Sequence, residues 1–156
     1  MNRILTVAIL FISFSIFSQN ENYNTKKGVI ANGYDVVAYF SNKAVKGNKK
    51  LSHTYDNVIF QFSTEENLNT FKENPKKNVP QYGGYCAYAI GVKGEKVGIN
   101  PKTFEIRDGK LYLFYNSWGT NTLKLWLNEN PEDLKEKADK YSKKEMASMN
   151  KNRSYG

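Results

Sequence analysis

The chain has one cysteine, Cys86, and one histidine, His53, so the residues that most often carry metals or nucleophilic chemistry are nearly absent. A single thiol excludes an internal disulfide, and the fold must stand on its apolar core. Cys86 and His53 together fall short of the four ligands a structural zinc takes, although copper(I) accepts two or three soft donors. Acidic side chains are also in the minority, 15 against 23 basic, for a net charge of +8. That balance suits solubility or contact with an anionic surface. No basic and aromatic motif of a nucleic-acid reader is present, so nucleic acid is not an expected partner.

Long apolar runs are scarce as well. The one such run, Ile4 to Phe17, follows Met1-Asn2-Arg3 and ends at Ser18-Gln19-Asn20. It is shorter than the roughly 20 residues a membrane-spanning helix needs. One positive charge, a short apolar stretch and a small residue before polar sequence describe a secretory signal peptide. Residues 1–18 are therefore expected to be removed on export to a periplasmic or secreted location, and residues 19–27 to form a flexible polar leader. No transmembrane segment is expected in the remainder.

Aromatics are what the chain does have: 11 tyrosines, 9 phenylalanines and 2 tryptophans. Three of the tyrosines crowd into Pro80-Gln81-Tyr82-Gly83-Gly84-Tyr85-Cys86-Ala87-Tyr88, beside the lone thiol. Gly83 and Gly84 permit positive φ and close backbone approach, which a sharp turn requires. Tyr82, Tyr85 and Tyr88 are candidates to line a ligand pocket. Cys86, with His53, is the candidate ligand or metal site. A buried core thiol is the bland alternative, and a cysteine-dependent dyad with His53 the third. Met146 and Met149 lie three apart, a spacing more often incidental than ligating.

Local signals place several elements. Asp56-Asn57 and Asp108-Gly109 each separate two apolar runs, as hairpin turns do. Ser63 or Thr64 before Glu65-Glu66 reads as a helix start, ended by Asn74-Pro75. A helix is expected from Tyr85 to Ile90, broken by Gly91 and Gly94. Asn130-Pro131 opens a charged helix that reaches about Tyr141. Asp35 is expected to cap a turn, and Trp118 and Trp126 to fill a core or line a groove.

In this order, Gly33-Tyr34-Asp35-Val36-Val37-Ala38-Tyr39-Phe40, Phe60-Gln61-Phe62-Ser63-Thr64-Glu65-Glu66-Asn67, Phe71-Lys72-Glu73-Asn74-Pro75, Pro80 to Ala87 and Asp108 to Asn116 resemble the YHS-domain family in its secreted or periplasmic form. The stretch from Trp126 through Pro131 to Asp139 resembles that form's closing helix. The resemblance implies an α+β fold: a small antiparallel sheet with short helices packed on it, plus C-terminal helices. A single domain would span 28–141, with a core at 28–116 and helices at 117–141, before a basic flexible tail at 142–156. Better-known members carry paired cysteines that bind zinc or copper; here those positions fall on Ser63 and Asn67, neither a good soft-metal ligand. The resemblance thus implies an exported binding module with a metal-handling ancestry. Copper or zinc is the implied cofactor if one is bound. A structural or partner-binding domain without metal is the alternative.

The signal-peptide reading makes a direct prediction. Intact-mass measurement of the protein from a secreting host should give a chain starting near Gln19, and a mass that retains residues 1–18 would overturn it.

Overall fold

The computed structural model describes residues 21–153, with side chains through Lys151. The expected signal peptide and its cleavage point lie outside the described residues. The fold is α+β. Strands β1 (Thr25–Lys26), β2 (Val29–Ile30), β3 (Asn48–Tyr55) and β4 (Val58–Phe62) form one sheet in the order β1-β2-β4-β3. The hairpin at Asp56-Asn57 pairs Tyr55 with Val58. Both turn residues take positive φ, 50° and 60°, as a two-residue turn between twisted strands demands. An antiparallel sheet is the expectation, and the pairing departs from it at one place: β2 runs parallel to β4 through the pair Val29 and Ile59. Two turns of 3-10 helix, Ala31–Gly33 and Ala38–Ser41, lie between β2 and β3.

Helix α1 (Glu65–Glu73) begins where the acids predicted. Thr64 is its N-cap and accepts from the Asn67 amide at 3.1 Å. Phe71 is the residue of α1 that is fully buried, and it docks the helix on the sheet. Its ring centroid lies 4.5 Å from Phe60, 5.1 Å from Phe62 and 6.0 Å from Tyr55. Pro75 ends α1 and starts α2 (Pro75–Asn78), since proline cannot supply the amide that α1 would need.

The second hairpin, β5 (Asn100–Arg107) and β6 (Lys110–Phe114), turns at Asp108-Gly109. Strand β6 is buried on both faces, which is why it reads as an unbroken apolar run. Leu111 and Leu113 enter one core with Ile30, Val36, Tyr39, Phe60, Phe62 and Phe71. Tyr112 and Phe114, one step out of phase, enter a second core with Ala87, Trp126 and Leu134. Helices α3 (Ala87–Lys93), α4 (Thr122–Asn128) and α5 (Pro131–Arg153) cover that second face. A small hairpin, β7 (Asn116–Ser117) and β8 (Thr120–Asn121), precedes α4.

Three expectations need correction. Residues 21–27 carry β1 in place of an irregular leader. Helix α3 starts at Ala87 and runs through Gly91 to Lys93, because Gly91 is where α5 passes closest. A Cβ there would sit 2.8 Å from the Leu134 carbonyl oxygen. Gly94, at φ 69°, is what ends α3. Helix α5 does not stop near Tyr141 but continues to Arg153, held by Tyr141 against Gly94 and by a Lys96–Glu145 ion pair at 2.6 Å.

Asp35 ties three segments together. Its Oδ1 accepts from the Val37 and Ala38 amides at 2.9 and 3.2 Å, capping the turn before the second 3-10 helix. Its Oδ2 accepts from the Ser63 amide at 2.7 Å, the Ser63 hydroxyl at 2.6 Å and the Asn67 side-chain amide at 2.8 Å. The residue is fully buried. Replacing it by alanine orphans five donors, so Asp35→Ala should cost roughly 3 kcal/mol. Asp35→Asn should cost nearly as much, since its NH2 would face the donors that Oδ2 accepts from. Urea melts read both, and midpoints equal to wild type would show the network to be dispensable.

Candidate functional site

The segment 80–86 folds as a left-handed turn. Tyr82, Gly83 and Gly84 have φ of 55°, 61° and 80° in succession. For Tyr82 this conformation costs on the order of 1 kcal/mol, because a Cβ crowds the following carbonyl. The side chain offsets that cost by docking. Its hydroxyl donates to Asp139 Oδ1 on α5 at 3.0 Å, and its ring lies 6.0 Å from Tyr112. Burial, then the Asp139 carboxylate, pushes the Tyr82 phenol well above its ordinary pKa, so it stays a donor.

The glycines let the N-terminal segment cross over this turn. A Cβ on Gly83 would overlap the Asn22 carbonyl oxygen, and the Asn24 amide donates to the Gly83 carbonyl at 2.9 Å. Asn24 Nδ2 donates to the Gly84 carbonyl at 3.0 Å, and the Tyr85 hydroxyl reaches the Tyr23 carbonyl at 3.3 Å. Tyr23 in turn donates to Asp56 Oδ2 at 3.0 Å. The strap, the turn, the β3–β4 hairpin, α2, α3 and the far end of α5 enclose a groove of about 730 Å³.

Five tyrosines line that groove: Tyr23, Tyr55, Tyr82, Tyr85 and Tyr141. Val79, Pro80, Ile90 and Met146 add apolar surface, and Lys76, Lys96, Lys144, Asp56 and Glu145 add charge. Both carboxylates are engaged internally, Asp56 by Tyr23 and Glu145 by Lys96. Lys96 also donates to the Glu21 carbonyl at 2.9 Å and lies over the Tyr85 ring, 5.5 Å from its centroid. Lys76 and Lys144 have no ion-pair partner among the described residues. The groove is thus aromatic, with two uncommitted ammonium groups.

The candidate residues separate. Tyr82, Tyr85 and Gly83 line the groove. Tyr88 does not; its hydroxyl donates to Glu129 Oε1 at 2.8 Å on the far side of α3. Cys86 is fully buried, 3.3 Å from Thr122 Oγ1 and accepting from the Tyr115 amide at 3.4 Å. His53 lies on β3, half-buried and edge-on to Phe71 at 6.1 Å. It is not hydrogen-bonded to Cys86, whose contacts are with Thr122 and Tyr115, so the two do not form a hydrogen-bonded dyad. Among the described residues, no group of three or more His, Cys, Asp or Glu side chains is placed to hold a metal ion. Ser63 and Asn67 both spend their donors on Asp35. Among the described residues no zinc site is assembled.

Sequence reasoning missed Lys76, Lys96, Lys144 and Asp56 as groove residues. They come from four separate segments with no shared spacing, so no pattern along the chain could join them. Trp126 fills the second core as expected, with its indole N–H on Glu105 Oε2 at 2.9 Å. Trp118 does not: it is 96% exposed. No family model matches the chain, and no curated protein or solved structure is significantly similar to it.

The seal over Cys86 sets its reactivity. A thiol reagent should label native Cys86 slowly and the unfolded chain rapidly. Cys86→Ser should be tolerated within about 1 kcal/mol, because Thr122 and the Tyr115 amide already supply a hydroxyl's partners. Fast native labelling would contradict the buried placement.

Proposed function

We propose that this protein is an exported, non-enzymatic binding module of YHS-like type that holds a small ligand in the tyrosine-lined groove. The groove itself carries the reading. It is of ordinary ligand-site size, built on a turn in three successive left-handed residues, and lined by rings on several elements. Its chemistry suits a molecule with an aromatic or apolar body and one anionic group, the latter directed to Lys76 and Lys144. A metal is not part of this reading, since the potential ligands are dispersed. The resemblance to the YHS family supports the architecture, and the signal-like start of the chain supports export.

Anilinonaphthalene sulfonate, an aromatic body with a single anion, is a suitable probe. It should bind saturably at one site per chain with enhanced fluorescence. Lys76→Glu and Lys144→Glu, both exposed and without an ion-pair partner among the described residues, should each weaken it about tenfold, equivalent to about 1.4 kcal/mol. No saturable binding, or affinity indifferent to both reversals, would remove the groove as a site and leave the structural or partner-binding reading.

A further inference from the structure

Trp118 occupies an unusual place. It sits at the tip of the β7–β8 hairpin, with φ of 51° followed by Gly119 at 78°. Asn116 pairs with Asn121 and Ser117 with Thr120, so the loop is the tight two-residue kind. Asparagine or glycine normally fills the first loop position, because a side chain there is strained. Trp118 gains no packing in return, being 96% exposed, while the other tryptophan is completely buried. A large ring held in a strained conformation and in water is a group whose partner lies outside the chain.

The surroundings indicate which partner. The hairpin Asn116–Asn121 contains no charged residue. It is tied at its base to the start of β5, where Asn100 donates to the Asn116 carbonyl at 3.2 Å and Asn116 donates to Thr103 Oγ1 at 3.1 Å. Lys102 follows Asn100 on that strand, and Lys124 opens α4 with its amide on Asn121 Oδ1 at 3.3 Å. Both lysines are exposed and have no ion-pair partner among the described residues. Glu105 on the same strand as Lys102, and Glu129 at the end of α4, are committed elsewhere, Glu105 to Arg107 and Trp126, and Glu129 to Tyr88. An uncharged aromatic tip flanked by free cations, on a chain of net charge +8, matches the interfacial region of an anionic bilayer.

We propose that the β7–β8 hairpin is a membrane-surface anchor, with Trp118 seated among lipid headgroups and Lys102 and Lys124 on anionic lipid. This contact is peripheral, and no helix among the described residues is long and apolar enough to cross a membrane. It uses a different part of the molecule from the groove and stands or falls separately from it.

The two tryptophans make the test specific. The protein from a secreting host is mixed with vesicles of phosphatidylcholine alone, or of phosphatidylcholine and phosphatidylglycerol in equal parts. With the anionic vesicles, emission should shift to the blue, because Trp118 leaves water while Trp126 is already buried. Trp118→Ala should lower co-sedimentation about tenfold and Trp118→Phe should keep most of it, both losing the shift because the reporting indole is gone, and Lys102→Gln with Lys124→Gln should flatten the salt dependence of binding. Unchanged Trp126 emission without vesicles shows that each variant is folded. The proposal fails if Trp118→Ala co-sediments like wild type, which would assign adsorption to the basic end of α5 or to the chain's apolar start. It fails equally if no shift occurs, or if neutral vesicles bind as well as anionic ones.

Discussion

A buried carboxylate needs a full set of donors, and meeting that need at Asp35 organises one side of this protein. An ionised group moved out of water without partners would cost several kcal/mol. Five donors from three segments converge on Asp35: the turn it starts, the first residue after β4, and the first turn of α1. Each of those segments would be free to shift without the others. The carboxylate therefore sets where α1 leaves the sheet, and Phe71 then fills the space that placement creates. Ser63 and Asn67 are bound into this network, which leaves their side chains no role as ligands.

Strand β6 plays the corresponding part on the other side. Its odd and even residues belong to different cores, so the β5–β6 hairpin is the wall shared by the sheet with α1 and by the bundle of α3, α4 and α5. The groove opens where these two layers diverge, between the β3–β4 turn and the end of α5. Its floor is the left-handed turn at Tyr82-Gly83-Gly84, which is held by Asp139 from the helical layer and by Asn24 from the strap. Lys96 closes one end by joining Glu21, Tyr85 and Glu145. A site assembled at the seam of two layers can hold a ligand without disturbing either core. The cost of the strained Tyr82 is met by contacts that also shape the groove.

Much of the local structure was legible because it is encoded by neighbours in sequence. Asp56-Asn57 and Asp108-Gly109 fix their hairpins through φ preferences, Thr64 caps α1 through an oxygen three residues from its donor, and Pro75 stops it by lacking an amide. The limits of α3 and α5 were not legible in the same way. Gly91 looks like a helix breaker until α5 is known to pass against it, and the polar stretch after Tyr141 looks unstructured until Gly94 and Lys96 are known to meet it. Local propensity there yields to tertiary contact.

The chain alone determined that no disulfide could staple this protein, that its aromatics must supply the core, and that the glycine pair beside Cys86 would bend the backbone sharply. These follow from composition and from the covalent geometry of single residues. Only the tertiary structure decided that Cys86 would be sealed, that His53 would face Phe71, that Trp126 would be buried and Trp118 exposed, and which lysines would share a groove with five tyrosines. Such outcomes depend on which distant segments are brought together, and the energy of that packing is spread over many weak contacts that no short stretch of sequence contains.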